Sequence, residues 1–232
     1  MKEEAARCTY FPKERIYTIP IGIDKNKVHE IGYPKKKARD HWGISHDVTL
    51  LGIMGRITEK KGQLFVVEAI QELQKKHPNL SLLIVGSPSL NSDSCQKYYE
   101  KLQSAIHKLK QPCHIYLHEF EPRTALFYSS IDAFVLASEK ETYGMVTLEA
   151  MLAKLPIIAP YSGGGREILE NGQFGRLYKD HHHQSFQEQV TWILENPKEA
   201  QLMATNAQRH AKRNYSIEIE INGISSVLQN LS

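Results

Sequence analysis

The sequence predicts an α/β domain built on a doubly wound parallel sheet, and three observations support this fold class. Six short apolar runs are separated by segments in which apolar residues recur with helical spacing. The runs are continuously apolar, which is typical of parallel strands buried on both faces. The 232 residues, of which 41% are hydrophobic, suffice for one domain with a large core. Repeated strand–helix units of this kind build an open sheet.

The elements follow one another along the chain in this alternating order. The six predicted strands are Thr49–Met54, Leu80–Val85, Ile115–Leu117, Ala133–Leu136, Ile157–Ala159 and Arg176–Tyr178. One further strand, Ile16–Ile19, is predicted within the first 45 residues, which otherwise consist of connections. The predicted helices run from Gly62 to His77, around Tyr98–Leu109, from near Gly144, around Phe186–Leu194, from Pro197, and over Ser216–Leu231. We interpret residues 1–232 as a single domain with a core over 17–180 and a helical tail over 181–232.

Charge and hydropathy exclude several functional classes. The net charge of +3 is too small for the dense basic face of a nucleic-acid-binding protein. No apolar run approaches the roughly 18 residues of a membrane span, and Met1–Ala5 lacks the apolar segment of a secretory signal. We expect a cytoplasmic protein. The basic cluster Lys35–Lys37 with Arg39 is expected to be a solvated loop, and membrane contact through it is at most peripheral.

Cysteine and histidine patterns favour neither a disulfide framework nor a metal site. Cys8, Cys95 and Cys113 are odd in number and far apart, as expected for reduced thiols. The consecutive residues His181–His183 cannot easily converge on one ion, so a polar loop is the better interpretation.

The loops that follow the predicted strands hold most of the informative residues. They are Gly55–Arg56 with Lys60–Gly62, Gly86–Ser87, His118–Phe120, Ser138–Gly144 and Ser162–Gly165. Glycine allows a ligand to approach the backbone and helix N-termini favour anions, so the pattern indicates a long anionic ligand. The sequence contains no GxxxxGK[ST] motif, and Ile168 stands where GxGxxG needs its third glycine. A P-loop NTPase and a dinucleotide dehydrogenase are therefore disfavoured.

Two glutamates, Glu141 and Glu149, flank the predicted start of a helix near Gly144. At the helical rise per residue their carboxylates would lie about 12 Å apart. This exceeds the spacing of about 5 to 9.5 Å in a glycosidase pair. It suits a ligand with hydroxyls at both ends and a charged middle over the helix N-terminus, which is the layout of a nucleotide sugar.

With these motifs the sequence resembles the carboxyl-terminal half of the retaining glycosyltransferases of family 4, which have the GT-B fold. The similar stretches are Ile19–Asp24, Gly55–Arg56, Lys61–Gly62, Ala137–Gly144, Glu149–Met151, Leu155–Ala159 and Gly164–Glu167. They occur in the family's order. This chain departs from the family pattern at Ala137 for proline, Tyr143 for phenylalanine and Ile21 for asparagine. The residues after Leu117 lack a glycine, which leaves the base open between UDP, GDP and ADP donors.

The resemblance implies a role for each matching residue. Arg56 and Lys61 would hold the diphosphate and stabilise the leaving group, Glu141 would orient the donor sugar, and Glu149 would bind the ribose. The implied donor-binding set is Gly55, Arg56, Lys61, Leu117, Phe120, Ser138, Glu141, Tyr143, Gly144, Met145, Val146 and Glu149. In this set the backbone N–H groups of Gly144, Met145 and Val146 cradle phosphate, and Leu117 and Phe120 frame the base. Ser138 is equally plausible as a turn or cap residue.

The resemblance also implies an activity, namely transfer of a sugar from a nucleotide sugar to an acceptor hydroxyl with retention of configuration, without a metal or other cofactor. In this family an amino-terminal domain binds the acceptor, and we expect that domain to be absent here, so that the chain transfers poorly alone. Two alternatives stay open. One is a non-catalytic subunit that binds nucleotide sugar, and the other is a nucleotide-sugar epimerase or phosphorylase-like protein of the same fold.

Overall fold

A six-stranded parallel sheet forms the centre of the protein. The computed structural model describes residues 12–24, 33–109, 114–139, 141 and 143–230. The strands are β1 (Thr49–Met54), β2 (Leu80–Val85), β3 (Ile115–His118), β4 (Ala133–Val135), β5 (Ile157–Pro160) and β6 (Arg176–Tyr178). Their order is β3-β2-β1-β4-β5-β6 with every pairing parallel. The predicted fold class is confirmed. The strands from β1 to β3 extend the sheet to one side and those from β4 to β6 extend it to the other, so the strand order reverses between β1 and β4.

Helices cover both faces of the sheet. They are α1 (Lys35–His41), α2 (Gln63–Lys76), α3 (Asp93–Lys108), α4 (Thr124–Ser130), α5 (Met145–Leu152), α6 (Gly164–Ile168), α7 (His183–Glu195), α8 (Pro197–Asn214) and α9 (Ile217–Gln229). One core packs α4, α5 and α6 on the sheet, and the other packs α2, α3 and α7. Strand β2 shows why its sequence is continuously apolar, since Leu83 enters the first core and Leu82 and Ile84 enter the second.

The helices after β6 belong to these layers. In α7 the ring of Phe186 is fully buried, and it packs on the same core as α2. In α8 a stripe of alanines at helical spacing is buried, and it consists of Ala200, Ala204, Ala207 and Ala211. Small side chains allow close approach, and α8 lies against α5. By contrast, α9 contains no fully buried residue over its described range.

The prediction of a strand over Ile16–Ile19 is wrong. Those residues have no regular structure, and the first extended pairing is a single bridge between Ile23 and Ser216. The segment runs beside the turn between α8 and α9, where the Ile23 amide donates to the Tyr215 carbonyl at 2.8 Å. A strand needs a neighbouring strand, and this position offers only the ends of helices.

The prediction of a solvated loop for the basic cluster is also wrong. Its residues lie in α1, and Arg39 is only 3% exposed. The Arg39 guanidinium donates to the carbonyl oxygens of Ser130 and Val48 and to the carboxylate of Asp132. Lys35 pairs with the same carboxylate. A buried charge is tolerated only when partners of this kind satisfy it. Because Asp132 directly precedes β4, the arginine joins α1 to the start of that strand.

Among the helices of the described residues, none has the length and hydropathy needed to cross a membrane. Met1–Ala5, Cys8, Cys113 and Leu231, which the sequence analysis considered, lie outside the described residues.

Candidate functional site

The loop after β1 brings the predicted diphosphate cations to the carboxyl edge of the sheet. Gly55 and Gly62 both have positive φ, of 151° and 68°, and a short 3₁₀ helix at Glu59–Lys61 connects them to α2. Arg56 is exposed, and its backbone carbonyl accepts a hydrogen bond from the side-chain Nε2 of Gln63 at 3.0 Å. The backbone of the loop is thus fixed while the arginine side chain faces solvent.

The loop after β4 is attached directly to the loop after β1. The Glu139 amide donates to the Lys60 carbonyl at 2.8 Å. Gly62 lies so close to Ala137 that any side chain at position 62 would overlap the Ala137 carbonyl oxygen. The two loops that carry the predicted cations and Glu141 therefore form one rigid edge.

Hydrogen bonds hold both the side chain and the backbone carbonyl of Glu141. Its Oε2 accepts a hydrogen bond from Lys61 Nζ at 2.6 Å, and its side chain is 16% exposed. Its backbone carbonyl accepts from the Gly164 amide at 2.7 Å, which attaches the loop after β5. The structure thus brings Lys61 and Glu141 together as an ion pair. Both side chains retain enough exposure to reach a ligand.

The helix α5 begins directly beside this pair. Gly144 has φ of 82° at the N-cap, and no side chain among the described residues caps the helix. The first N–H groups of an α-helix have no partner within the helix, and the helix dipole favours anions there. Met145 and Val146 provide these groups at the helix start that the sequence predicted near Gly144.

A buried tyrosine positions the second glutamate. Glu149 lies within α5, and its Oε2 accepts a hydrogen bond from the Tyr128 hydroxyl at 2.7 Å. Tyr128 is 2% exposed, and the same hydroxyl contacts the Val146 carbonyl at 3.3 Å. Burial, together with the Glu149 carboxylate, raises the pKa of Tyr128 well above its ordinary value, so the phenol remains a donor. Sequence reasoning missed Tyr128, because nothing in its local pattern distinguishes it from a core residue.

The predicted base-binding residues lie at the far edge of the sheet. Leu117 is half-buried on β3, and the Phe120 ring is 61% exposed. The Phe120 amide donates to the Ser87 hydroxyl at 3.1 Å, joining the loops after β2 and β3. His118 packs its ring 5.0 Å from Trp42, and burial lowers the pKa of His118. An exposed aromatic ring on a fixed backbone can stack on a planar base.

The residues predicted to bind the donor line two different cavities at this edge of the sheet. A cavity of about 600 Å³ is lined by Arg56 and Lys61 together with Ser94 and Cys95. Ser138 lines a different cavity, of about 470 Å³, on the side of α2 and α7. The structure therefore does not bring Ser138 into the cavity that contains the predicted diphosphate cations.

Cys95, which the sequence predicts to be a reduced thiol, lines the same cavity as Arg56 and Lys61. It lies at the start of α3, where its amide donates to the Ser92 hydroxyl at 3.4 Å. The hydrogen bond with that hydroxyl lowers the pKa of the Cys95 thiol. Ser92, which caps the helix three residues before Cys95, is the feature of the sequence that could have predicted this lowered pKa.

The three consecutive histidines are separate from this site. His181 pairs with Glu139 at 3.2 Å, His183 lies 3.6 Å from Glu68, and the His182 ring caps α7. Within the described part of the chain, no group of three or more His, Cys, Asp or Glu side chains is arranged to hold a metal ion.

The fold and site define a Rossmann-like domain that presents two cations, the N-terminus of α5 and two carboxylates along one edge. The sequence profile of the family "Glycosyl transferases group 1" matches residues 34–210, more than half of the chain. The chain belongs to this family.

Curated relatives carry several different names. The chain is similar to spore coat protein SA of Bacillus subtilis, with 24% identity over 230 residues, 94% of this chain and 60% of that protein. It is also similar to a D-inositol 3-phosphate glycosyltransferase of Thermomonospora curvata, with 25% identity over 76% of this chain and 42% of that protein. The chain thus spans between two fifths and three fifths of the length of these relatives.

Solved structures confirm the fold. The crystal structure of Alr3699/HepE of Anabaena, in complex with UDP and glucose, superposes with a TM-score of 0.85 at 22% identity, over 98% of this chain and 60% of that one. The C-terminal domain of the group 1 family protein LpcC of Francisella tularensis superposes with a TM-score of 0.66 at 23% identity. That match covers 84% of this chain and all of that one.

Proposed function

We propose that this chain is the donor-binding half of a retaining glycosyltransferase, which binds a nucleoside diphosphate sugar without a metal ion. The observation that carries the proposal is the convergence of Lys61, Glu141 and the free N-terminus of α5 in a group 1 glycosyltransferase domain. In this proposal Arg56 and Lys61 hold the diphosphate, Glu149 the ribose, Phe120 the base and Glu141 the sugar.

The chemistry that this arrangement supports is displacement at the anomeric carbon. The bond between that carbon and the terminal phosphate oxygen breaks, and a bond to the acceptor oxygen forms on the same face. The departing phosphate oxygen takes the electron pair and is the nearest base for the acceptor proton. Fixed cations and helix N–H groups stabilise the growing negative charge of the nucleoside diphosphate.

The helix α9 supports the need for an acceptor-binding half. Its exposed apolar residues follow a spacing of 4, 3 and 4, and they are Ile217, Ile221, Ile224 and Leu228. Such a stripe on one face of a helix marks an interaction surface. Because the chain covers 60% of the spore coat protein relative, we assign this surface to the acceptor-binding half.

Calorimetric titration of the chain with UDP, GDP, ADP, their glucose conjugates and the free nucleosides tests the proposal. We expect one diphosphate to bind selectively and its nucleoside to bind far more weakly. Arg56→Ala should reduce this difference, whereas Lys36→Ala, which removes an exposed charge from α1, should leave it unchanged. Absence of binding to every diphosphate would contradict the proposal.

Assays with the acceptor half present distinguish the alternatives. Glu141→Gln should lower the rate of sugar transfer far more than it weakens donor binding. Donor binding without transfer would indicate the non-catalytic subunit. Epimerisation of the donor without any acceptor would indicate the epimerase class.

A further inference from the structure

A tyrosine next to the predicted sugar-binding glutamate is attached to a remote part of the chain. The Tyr143 hydroxyl donates a hydrogen bond to the backbone carbonyl of Ile21 at 2.7 Å. Tyr143 lies on the loop between Glu141 and Gly144, where the resembling family pattern has phenylalanine. Phenylalanine is the commoner residue of that pattern, so the hydroxyl is a group that the pattern does not require.

The segment that receives this hydrogen bond is itself fixed. The Gly22 amide donates to Glu220 Oε2 of α9 at 2.8 Å, and the Ile23 amide donates to the Tyr215 carbonyl. Gly22 packs so closely on α9 that an added Cβ would lie 2.5 Å from the Ile217 Cα. Ile21 is consequently a firm anchor for the tyrosine.

The hydroxyl remains a donor under all working conditions. Burial raises the pKa of Tyr143 to about 12, with Tyr215 and Glu220 as further causes. The ring also lines a cavity of about 190 Å³ together with Gly164, whose amide donates to the Glu141 carbonyl. The tyrosine thus borders the same cavity as the residue whose amide holds the backbone carbonyl of Glu141.

We infer that the Tyr143 hydroxyl is a positioning group, which orders the loop of Glu141 by tying it to the segment before α1 and through that segment to α9. The inference rests on the proposed function in assigning the donor sugar to Glu141. It adds to the proposed function that sugar recognition in this chain depends on the contact between Tyr143 and Ile21.

Tyr143→Phe tests the inference, because it removes one hydroxyl and keeps the ring. The control is Tyr99→Phe, which removes a tyrosine hydroxyl from α3. In hydrogen exchange without nucleotide, Tyr143→Phe should accelerate exchange of the Gly164 amide about fivefold, the factor expected for loss of one hydrogen bond. It should weaken UDP-glucose binding by a similar factor and leave UDP binding within about twofold.

Glu220→Ala provides a second variant that leaves the loop sequence unchanged. It removes the acceptor of the Gly22 amide, so it should shift the ratio of UDP-glucose to UDP affinity in the same direction. Combined with Tyr143→Phe it should add little, because both changes release the same contact.

The possible outcomes separate this inference from the proposed function. Unchanged exchange at Gly164, or equal weakening of UDP-glucose and UDP, would overturn the inference. If the unaltered chain binds neither ligand, the proposed function fails for this donor. The exchange of Gly164 then still decides whether the hydroxyl orders the loop.

Discussion

Lys61 Nζ lies 2.6 Å from Glu141 Oε2, so the cation that follows β1 and the carboxylate that follows β4 form one ion pair. The side chain of Lys61 is 33% exposed and that of Glu141 is 16% exposed. An incoming diphosphate would compete with Glu141 for the ammonium group and release the carboxylate toward sugar hydroxyls. In the proposed function, the pair would therefore connect binding of the diphosphate with binding of the sugar.

Lys61→Ala should weaken UDP binding by about 10-fold or more, because a hydrogen bond to a charged group contributes about 1.5–3 kcal/mol. Uridine binding should change little, since uridine has no phosphate. Calorimetry on both ligands measures this, with Lys36→Ala as the charge-matched control. An equal loss for uridine and UDP would show that Lys61 does not contact the diphosphate.

Tyr128→Phe should lower the free energy of unfolding by about 1–2 kcal/mol, because Glu149 loses a buried donor. Without that donor Glu149 is less fixed, so uridine and UDP should both bind more weakly and to a similar degree. Chemical denaturation and calorimetry measure the two effects. The control is Tyr178→Phe, which removes a buried hydroxyl from the Leu136 carbonyl directly after β4. It should reduce stability but leave binding intact, and weaker binding there would indicate a general effect of core loosening.

The fold was predictable because buried parallel strands leave a continuous apolar signal. The predicted ranges Thr49–Met54, Leu80–Val85 and Arg176–Tyr178 coincide with the observed strands. Ile16–Ile19 has the same local signal, yet it lies beside the ends of two helices. The local sequence pattern does not show which elements surround a segment in the folded protein.

The site was predictable to the extent that strand ends share an edge. The positions of Lys61 and Glu141 followed from this rule, although their ion pair did not. Tyr128 and Glu149 are 21 residues apart on different helices, and no spacing rule connects them. Arg39 was misinterpreted for the same reason, since its partners are backbone carbonyls from other elements.

Gly62→Ala should destabilise the fold strongly and misplace the loop of Lys61. Its φ of 68° disfavours any side chain, and a Cβ would also overlap the Ala137 carbonyl. Gly43→Ala is the matched control, because Gly43 has φ of 65° but no atom within 4 Å of an added Cβ. Thermal unfolding of both variants isolates the steric contribution. Equal losses of stability would mean that backbone conformation alone requires glycine at position 62.

The ionised carboxylate of Glu121 should stabilise the folded protein at neutral pH, and this stabilisation should be lost in acid. The Arg123 side chain and amide donate to the Glu121 carboxylate and lower its pKa from 4.5 to about 2. Because the folded-state pKa lies below the unfolded value, the unfolded chain takes up the proton first. The contribution of Glu121 is therefore complete above about pH 4.5 and disappears as the pH falls toward about 2.

Glu121→Gln should accordingly lower the urea midpoint at pH 7, by a small amount because Arg123 is exposed. The difference between the two proteins should shrink at pH 4 and fall to about a quarter of its value at pH 2.5. Glu100→Gln on α3, an exposed carboxylate of the same type, controls for the change in net charge. A difference that stays constant from pH 7 to 2.5 would show that the charge of Glu121 does not stabilise the loop after β3.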